Sequence, residues 1–172
     1  YEQEVDNLAV TYGQVFEEQL EQELLEALGP KLFQRPIGKD QFSGTIELME
    51  KGVPVIYQGY LKHQVGLLEF NGKPDFLVRE DYQLEFQENK LVAVPVAEKP
   101  EGQKYVAWDA KLSSTAKPNY LLQIALYADA LESVGFKADG EPGLILGSRE
   151  LVTFEESEIV PVMRLARSEL ST

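Results

Sequence analysis

The chain of 172 residues contains no cysteine, a single histidine and few basic residues. Without cysteine it can form no disulfide and no cysteine-ligated zinc or iron–sulfur centre. No apolar run approaches the roughly 20 residues that a membrane-spanning helix needs. The N-terminal region is acidic, whereas a secretory signal begins with positive charge. We therefore expect a cytoplasmic protein with no membrane partner.

Positive charge is scarce. The sequence has 16 Lys and Arg against 29 Asp and Glu, which gives a net charge of −13. Residues 1–28 contain eight of the acids and no Lys or Arg, and we interpret most of these acids as the solvated face of a helix. Nucleic-acid binding depends on Lys and Arg at the phosphates, so any such binding by this chain alone should be weak.

The hydrophobic pattern predicts helices and strands that alternate along the chain. Apolar residues at helical spacing predict a helix over 8–28, which Gly29 and Pro30 end. Further segments are expected as follows: helices over 43–50, 118–134 and 160–168; strands over 53–61, 76–79, 104–112, 142–147 and 151–154; short strands at 84–86 and 91–96; and a connection over 62–71 that holds His63. We therefore expect one α/β domain over residues 1–172, with a central mixed sheet flanked by helices. This domain could be part of a longer chain.

Three polar motifs interrupt these apolar segments in a fixed order. Asp75 stands at the mouth of one predicted strand, after Gly72, Lys73 and Pro74. Asp109 and Lys111 are two apart in the next long strand, so they point to the same face. Gln123 and Tyr127 are four apart and share one face of the following helix. Alone, each motif is explained by a turn, a surface ion pair, a polar helix position or a core tyrosine.

In this order the motifs resemble the PD-(D/E)xK nuclease superfamily, and within it the RecB-like branch, which carries a Gln-x-x-x-Tyr helix. The resemblance covers residues 13–147. It implies a restriction-endonuclease-like core and a single RecB-like nuclease domain over 1–172. It also implies Mg²⁺- or Mn²⁺-dependent hydrolysis of DNA in repair, recombination or processing, with exonuclease action favoured over endonuclease action.

The resemblance assigns the chemistry to a few residues. Asp75 and Asp109 would be catalytic metal ligands, with Glu17 as a third and the backbone carbonyl of Ala110 as a further one. Lys111 would orient the metal-bound water, help to deprotonate it and stabilise the charge that develops.

The same resemblance implies contacts with DNA around this centre. Gln123 and Tyr127 would hold the DNA backbone or brace the site, and Lys73 and Lys117 could contact phosphates. A helicase domain or another protein partner would strengthen a DNA contact that the acidic chain makes weakly.

Two features depart from the family pattern. Phe16 stands where a histidine is common one residue before Glu17, and the cysteines of cluster-bearing members are missing. Two alternatives therefore stay open: a nuclease-like module that grips DNA or supports a complex without cutting, and an acidic protein-interaction domain with chance motifs.

Overall fold

The structure, a computed structural model, describes residues 2–113 and 118–170. Within these ranges the helices are α1 (Glu2–Leu28), α2 (Gln41–Lys51), α3 (Pro118–Ser133) and α4 (Glu156–Leu170). The strands are β1 (Phe33–Gln34), β2 (Val55–Tyr57), β3 (Leu61–Val65), β4 (Leu68–Gly72), β5 (Phe76–Arg79), β6 (Tyr82–Gln87), β7 (Lys90–Pro95), β8 (Tyr105–Lys111), β9 (Gly143–Leu146) and β10 (Leu151–Thr153).

Six strands form a central mixed sheet in the order β1-β2-β5-β8-β9-β10. The pairs β1–β2 and β8–β9 are parallel, and the other three pairs are antiparallel. Because β8 and β9 are parallel, the chain must cross over between them, and α3 makes that crossover. The predicted α/β class, with a central mixed sheet flanked by helices, is confirmed.

Apolar side chains are buried on both faces of this sheet. One core contains Phe16, Leu20 and Leu24, four residues apart on α1, together with Trp108 of β8. The other core packs α2, α3 and α4 against the opposite face, where Ala107 of β8 lies. Successive residues of β8 thus contribute to different cores, as the alternation of a strand requires.

The helix ends follow from local chemistry. Asp40 caps α2 by accepting a hydrogen bond from the Ser43 N–H at 3.1 Å. At the other end Gly52 adopts a left-handed φ of 75°, and its N–H bonds to carbonyls of the last turn. Gly29 and Gly135, also at positive φ, follow α1 and α3 as the sequence predicts.

Some segments differ from expectation. The connection expected over 62–71 is a hairpin, β3–β4, because Gly66 at positive φ turns the chain back. The strand expected over 53–61 ends at Tyr57, and α4 begins at Glu156 and accommodates Pro161. Leu112, the last residue of the strand expected over 104–112, lies beyond the end of β8 and is exposed.

Within the described ranges, none of the helices combines the length and the apolar character needed to cross a bilayer. The longest, α1, carries the acids of residues 2–28.

Candidate active site

Two carboxylates meet at one edge of the central sheet. Asp75 immediately precedes β5, and Asp109 lies near the end of the antiparallel neighbour β8, where Phe76 pairs with Trp108. Asp109 Oδ1 accepts a hydrogen bond from the Asp75 N–H at 2.9 Å, and Asp75 Oδ2 accepts one from the Ala110 N–H at 2.7 Å. Each carboxylate is thus held by a backbone N–H of the opposite strand segment, and the pairing register fixes both.

Ionisation of this pair is unfavourable. Burial raises the pKa of Asp75 well above its usual range, and the negative charges of Asp109 and Glu17 raise it further. Burial also raises the pKa of Asp109, although the Asp75 N–H and the Lys111 ammonium act to lower it. A site of this kind favours the uptake of a proton or a cation.

Glu17 of α1 is the third acid at this edge. Its Oε1 accepts hydrogen bonds from the Tyr57 hydroxyl at 2.9 Å and from Gln58 Nε2 at 2.8 Å. Its charge acts directly on Asp75, as the raised pKa of that group indicates. The structure therefore places Glu17 close enough to act on Asp75, and its role as a third metal ligand stays a prediction.

Lys111 stands beside the pair and is half-buried. Its Nζ lies 3.6 Å from Asp109 Oδ2 and 5.0 Å from the centre of the Tyr120 ring. The first distance is an ion-pair contact longer than a direct hydrogen bond. The ammonium is thus close to the carboxylates and also borders the open space beside Tyr120.

Gln123 and Tyr127 connect α3 to the pair. Gln123 Nε2 donates to the Tyr127 hydroxyl at 3.0 Å. Burial raises the pKa of the Tyr127 hydroxyl, and the charges of Asp109 and Asp75 raise it further, so it stays a proton donor beside Asp109. Tyr127 is also a buried member of the core, so it is both a packing residue and a support for the site.

The remaining predicted residues have different outcomes. The Ala110 N–H donates a hydrogen bond to Asp75 Oδ2, and the use of its carbonyl as a metal ligand stays a prediction. Lys73 is exposed two residues before Asp75. Lys117 lies outside the described residues. His63, expected in a connection, instead lies in β3 and bonds Asp129 at 2.7 Å.

Sequence motifs alone do not reveal Gln58, which links several parts of the site. Its N–H donates to the Asp75 carbonyl at 2.9 Å, and its side chain joins Glu17 to the Arg35 guanidinium, whose Nη2 lies 2.8 Å from Gln58 Oε1. It adopts a φ of 51°, in the left-handed region that a glutamine seldom occupies. Such strain is typical of functional sites but leaves no pattern in the sequence.

Among the described residues, the other buried carboxylates, Asp81 and Asp129, and the half-buried Glu23 have cations beside them. Asp81 receives two hydrogen bonds from Arg79, and Glu23 receives two from Arg149. Asp129 pairs with His63 and with Arg167. Compared with these arrangements, the Asp75–Asp109 pair has little compensating charge.

The donor set suits a hard divalent cation, which prefers carboxylate oxygens. Asp75 and Asp109 each engage one oxygen with backbone, so the second oxygen of each lies outside those bonds. Among the described side chains, however, no three His, Cys, Asp or Glu groups are placed so that they could hold an ion together. The fit is therefore one of chemistry and charge, with two carboxylates at its centre.

No protein-family model and no curated protein sequence matches the chain. Functional inference therefore depends on the geometry of this edge. This edge of the sheet combines two acids that resist ionisation, a third acid beside them, and the Lys111 ammonium within ion-pair distance of Asp109. That combination can bind a cation and stabilise negative charge on a substrate.

Proposed function

We propose that the protein is a metal-dependent DNA nuclease of the RecB-like type, with a restriction-endonuclease-like core, which acts in DNA repair, recombination or processing. The observation that carries the proposal is the poorly compensated Asp75–Asp109 pair at a sheet edge, with Lys111 3.6 Å from Asp109. Groups with strongly perturbed ionisation concentrate at functional sites. The order of the motifs along the chain supports the same conclusion.

Mg²⁺ or Mn²⁺ at this pair would supply Lewis-acid activation of water and phosphate. Asp75 and Asp109 would hold the ion, and Glu17, Oε1 of which is engaged by Tyr57 and Gln58, would assist from α1. These are the oxygen ligands that such ions prefer.

The remaining groups would act on the substrate and on the acids. The Lys111 ammonium would stabilise the charge that grows on the phosphate and would donate a proton at Nζ, whereas its neutral amine would accept one there. The Tyr127 hydroxyl, fixed by Gln123, would hold Asp109 in one orientation. Gln58 would do the same for Glu17.

The test is cleavage of end-labelled DNA by the purified protein with Mg²⁺ or Mn²⁺. We expect cleavage that a chelator stops, and a loss of about 100-fold or more in Lys111→Ala, the scale of a lost proton-transfer group. Lys51→Ala is the matched control, because Lys51 is an exposed lysine that also pairs with an acid, Glu47. It lies at the other end of β5 from Asp75, since the carbonyl of the adjacent Gly52 accepts a hydrogen bond from Arg79. Equal loss in both variants, or full activity in Lys111→Ala, would refute the role of Lys111. A closed circular DNA substrate distinguishes exonuclease from endonuclease action, since an exonuclease leaves it intact.

A nuclease-like module that binds DNA without cutting is the second candidate. The net charge of −13 and the lack of a preassembled three-acid site among the described residues favour it. It predicts DNA binding without turnover under every metal condition, and an Asp109→Asn variant that binds DNA as well as the wild type does.

A further inference from the structure

An open cleft lies directly beside Lys111. It has a volume of about 380 Å³, within the range of roughly 300–1,000 Å³ typical of ligand pockets. The first turns of α3 form one side, and Phe70 of β4 contributes to the other. Gln123 lines the cleft and donates a hydrogen bond to the Tyr127 hydroxyl, which lies beside Asp109. Only the Tyr127 side chain therefore separates Gln123 from the carboxylate pair.

The lining of this cleft is aromatic and apolar, with a few polar groups. Phe70, Tyr120 and Leu126 supply apolar surface, and Lys111, Asn119 and Gln123 supply hydrogen-bond donors. Among the described residues that line it there is no carboxylate, in a chain with 29 acids. A second cavity, of about 200 Å³ between α3 and α4, differs in having Glu132, Asp139 and Glu156 among its lining residues.

The position of Phe70 is fixed by its neighbours. Its ring lies 6.1 Å from that of Tyr127, centre to centre. A Cβ at Gly72 would come within 2.6 Å of Tyr127 Cε1 and 2.7 Å of Phe70 Cζ, so only glycine permits this arrangement. On the neighbouring strand Phe70 pairs with His63, which Asp129 holds. Phe70 is thus a preorganised aromatic surface.

We propose that this cleft binds an unpaired base of single-stranded DNA, stacked against Phe70 and Tyr120, so that the adjoining phosphate is presented to Lys111 and the Asp75–Asp109 pair. The proposal rests on the proposed nuclease function for the role of that phosphate. The charge of the lining matches a strand end, because the one charged group, Lys111, is a cation.

The physical reason is that stacking replaces positive charge as the source of affinity. Each base stacked on an aromatic side chain contributes about 1–3 kcal/mol, whatever the base. Bases within a duplex are stacked on one another and cannot enter, so the cleft selects single strands or frayed ends. Binding through stacking also depends less on salt than binding through phosphate neutralisation.

The first experiment measures binding with divalent ions chelated, so that no cleavage intervenes. The probes are a fluorescent thymidine oligonucleotide of about 12 nucleotides and an abasic strand of the same length. We expect the wild type to bind the thymidine strand at least about tenfold more tightly, the effect of about 1.4 kcal/mol. Equal binding of the two strands overturns the proposal, and this comparison requires no variant to fold.

The second experiment removes the aromatic surfaces. In Phe70→Leu and Tyr120→Leu the apolar volume is largely kept but the ring is lost, and the preference for bases should fall about tenfold in each. Tyr120→Phe keeps the ring and should keep the preference. Tyr82→Leu is the matched control, because Tyr82 is a half-buried tyrosine with the Arg79 guanidinium 5.4 Å above its ring. Leucine variants that are folded and retain the full preference overturn the assignment of those rings.

Cleavage assays with Mn²⁺ keep the two proposals separate. Cleavage without a preference for bases leaves the nuclease function standing and removes the stacking cleft. A preference for bases without cleavage leaves the cleft as a binding site and removes the nuclease function. Loss of both observations refutes both proposals.

Discussion

The two ends of the β5–β8 strand pair differ in how well their buried acids are compensated by positive charge. At one end the Arg79 guanidinium donates to both carboxylate oxygens of Asp81, at 2.6 and 2.9 Å, and also to the Gly52 carbonyl. At the other end Asp75 and Asp109 face each other, bound mainly to backbone N–H groups, with Lys111 3.6 Å away. Both ends lie on the same two strands, so the sheet itself does not account for the difference.

The comparison separates structural acids from candidate functional acids. A buried charge that serves structure has a cation that satisfies it, because an unpaired one destabilises the fold. The buried Asp81 and Asp129 meet that condition, and so does the half-buried Glu23. In the Asp75–Asp109 pair, by contrast, two carboxylates share one ammonium, that of Lys111, which lies 3.6 Å from Asp109. Such incomplete compensation of buried acids is typical of functional sites.

The largest effect on stability is expected from breaking the Arg79–Asp81 ion pair. Arg79→Met leaves the Asp81 carboxylate buried and unpaired, so it should lower the free energy of unfolding by about 3–5 kcal/mol. Chemical denaturation measures this change. The double variant Arg79→Met/Asp81→Leu should recover much of the loss, since no unpaired charge remains. Single and double variants of equal stability would show that Asp81 is not the cause.

The same substitution should have opposite signs at the two ends. In metal-free protein near neutral pH, Asp75→Asn removes a charge that burial and its neighbours disfavour, and the new amide oxygen can still accept from Ala110. We expect a gain on the order of 1 kcal/mol in the free energy of unfolding, while Asp81→Asn should lose a similar amount or more. The Asp75 variant should also lose the stabilisation that added Mn²⁺ gives to the wild type. A loss of stability at both positions would remove the distinction between the two ends.

Lowering the pH should remove the contrast, from opposite directions at the two kinds of acid. The folded-state pKa of Asp75 is raised, so the penalty of its charge is fully present above that pKa and disappears as the pH falls through it. Glu23, whose pKa Arg149 holds below the usual range, behaves oppositely: its contribution is present above the unfolded value of about 4.3 and is lost as the pH falls. Denaturation of wild type, Asp75→Asn and Glu23→Gln between about pH 7 and about pH 2 should therefore give difference curves of opposite slope, each in its own part of that range. Parallel curves would contradict the assignment.

The smallest effects on stability are expected beside the pair. Gln123→Ala removes the hydrogen bond that a half-buried side-chain amide donates to Tyr127, and it should change the free energy of unfolding by less than about 1 kcal/mol. It should still reduce DNA cleavage or affinity, as should Tyr127→Phe, which loses the hydroxyl but keeps the ring in the core. Ser133→Ala, which also removes a side-chain hydrogen bond of α3, is the control with unchanged cleavage. A clear loss of stability in Gln123→Ala with normal cleavage per folded molecule would assign Gln123 to structure alone.

The sequence predicts what depends on local patterns. Apolar runs place β5 and β8, glycines place the ends of α1, α2 and α3, and motif order brings Asp75 and Asp109 to one edge. The β3–β4 hairpin is missed because its strands alternate poorly: Lys62, His63 and Gln64 are consecutive polar residues. The reciprocal bonds of the carboxylates depend on strand register, and the contacts of Gln58 join residues 41 and 23 positions away, so no local pattern encodes them.

The reciprocal bonds also determine when the site can exist. They join residues 34 and 35 positions apart, from Asp75 to Asp109 and Ala110. Contacts between distant segments form late, because a long loop must first close. A chain still emerging from the ribosome has Asp75 well before its partner strand, and a molecule whose β5–β8 pair opens loses both acids at once. Any activity at this edge is therefore confined to molecules in which β5 and β8 have paired.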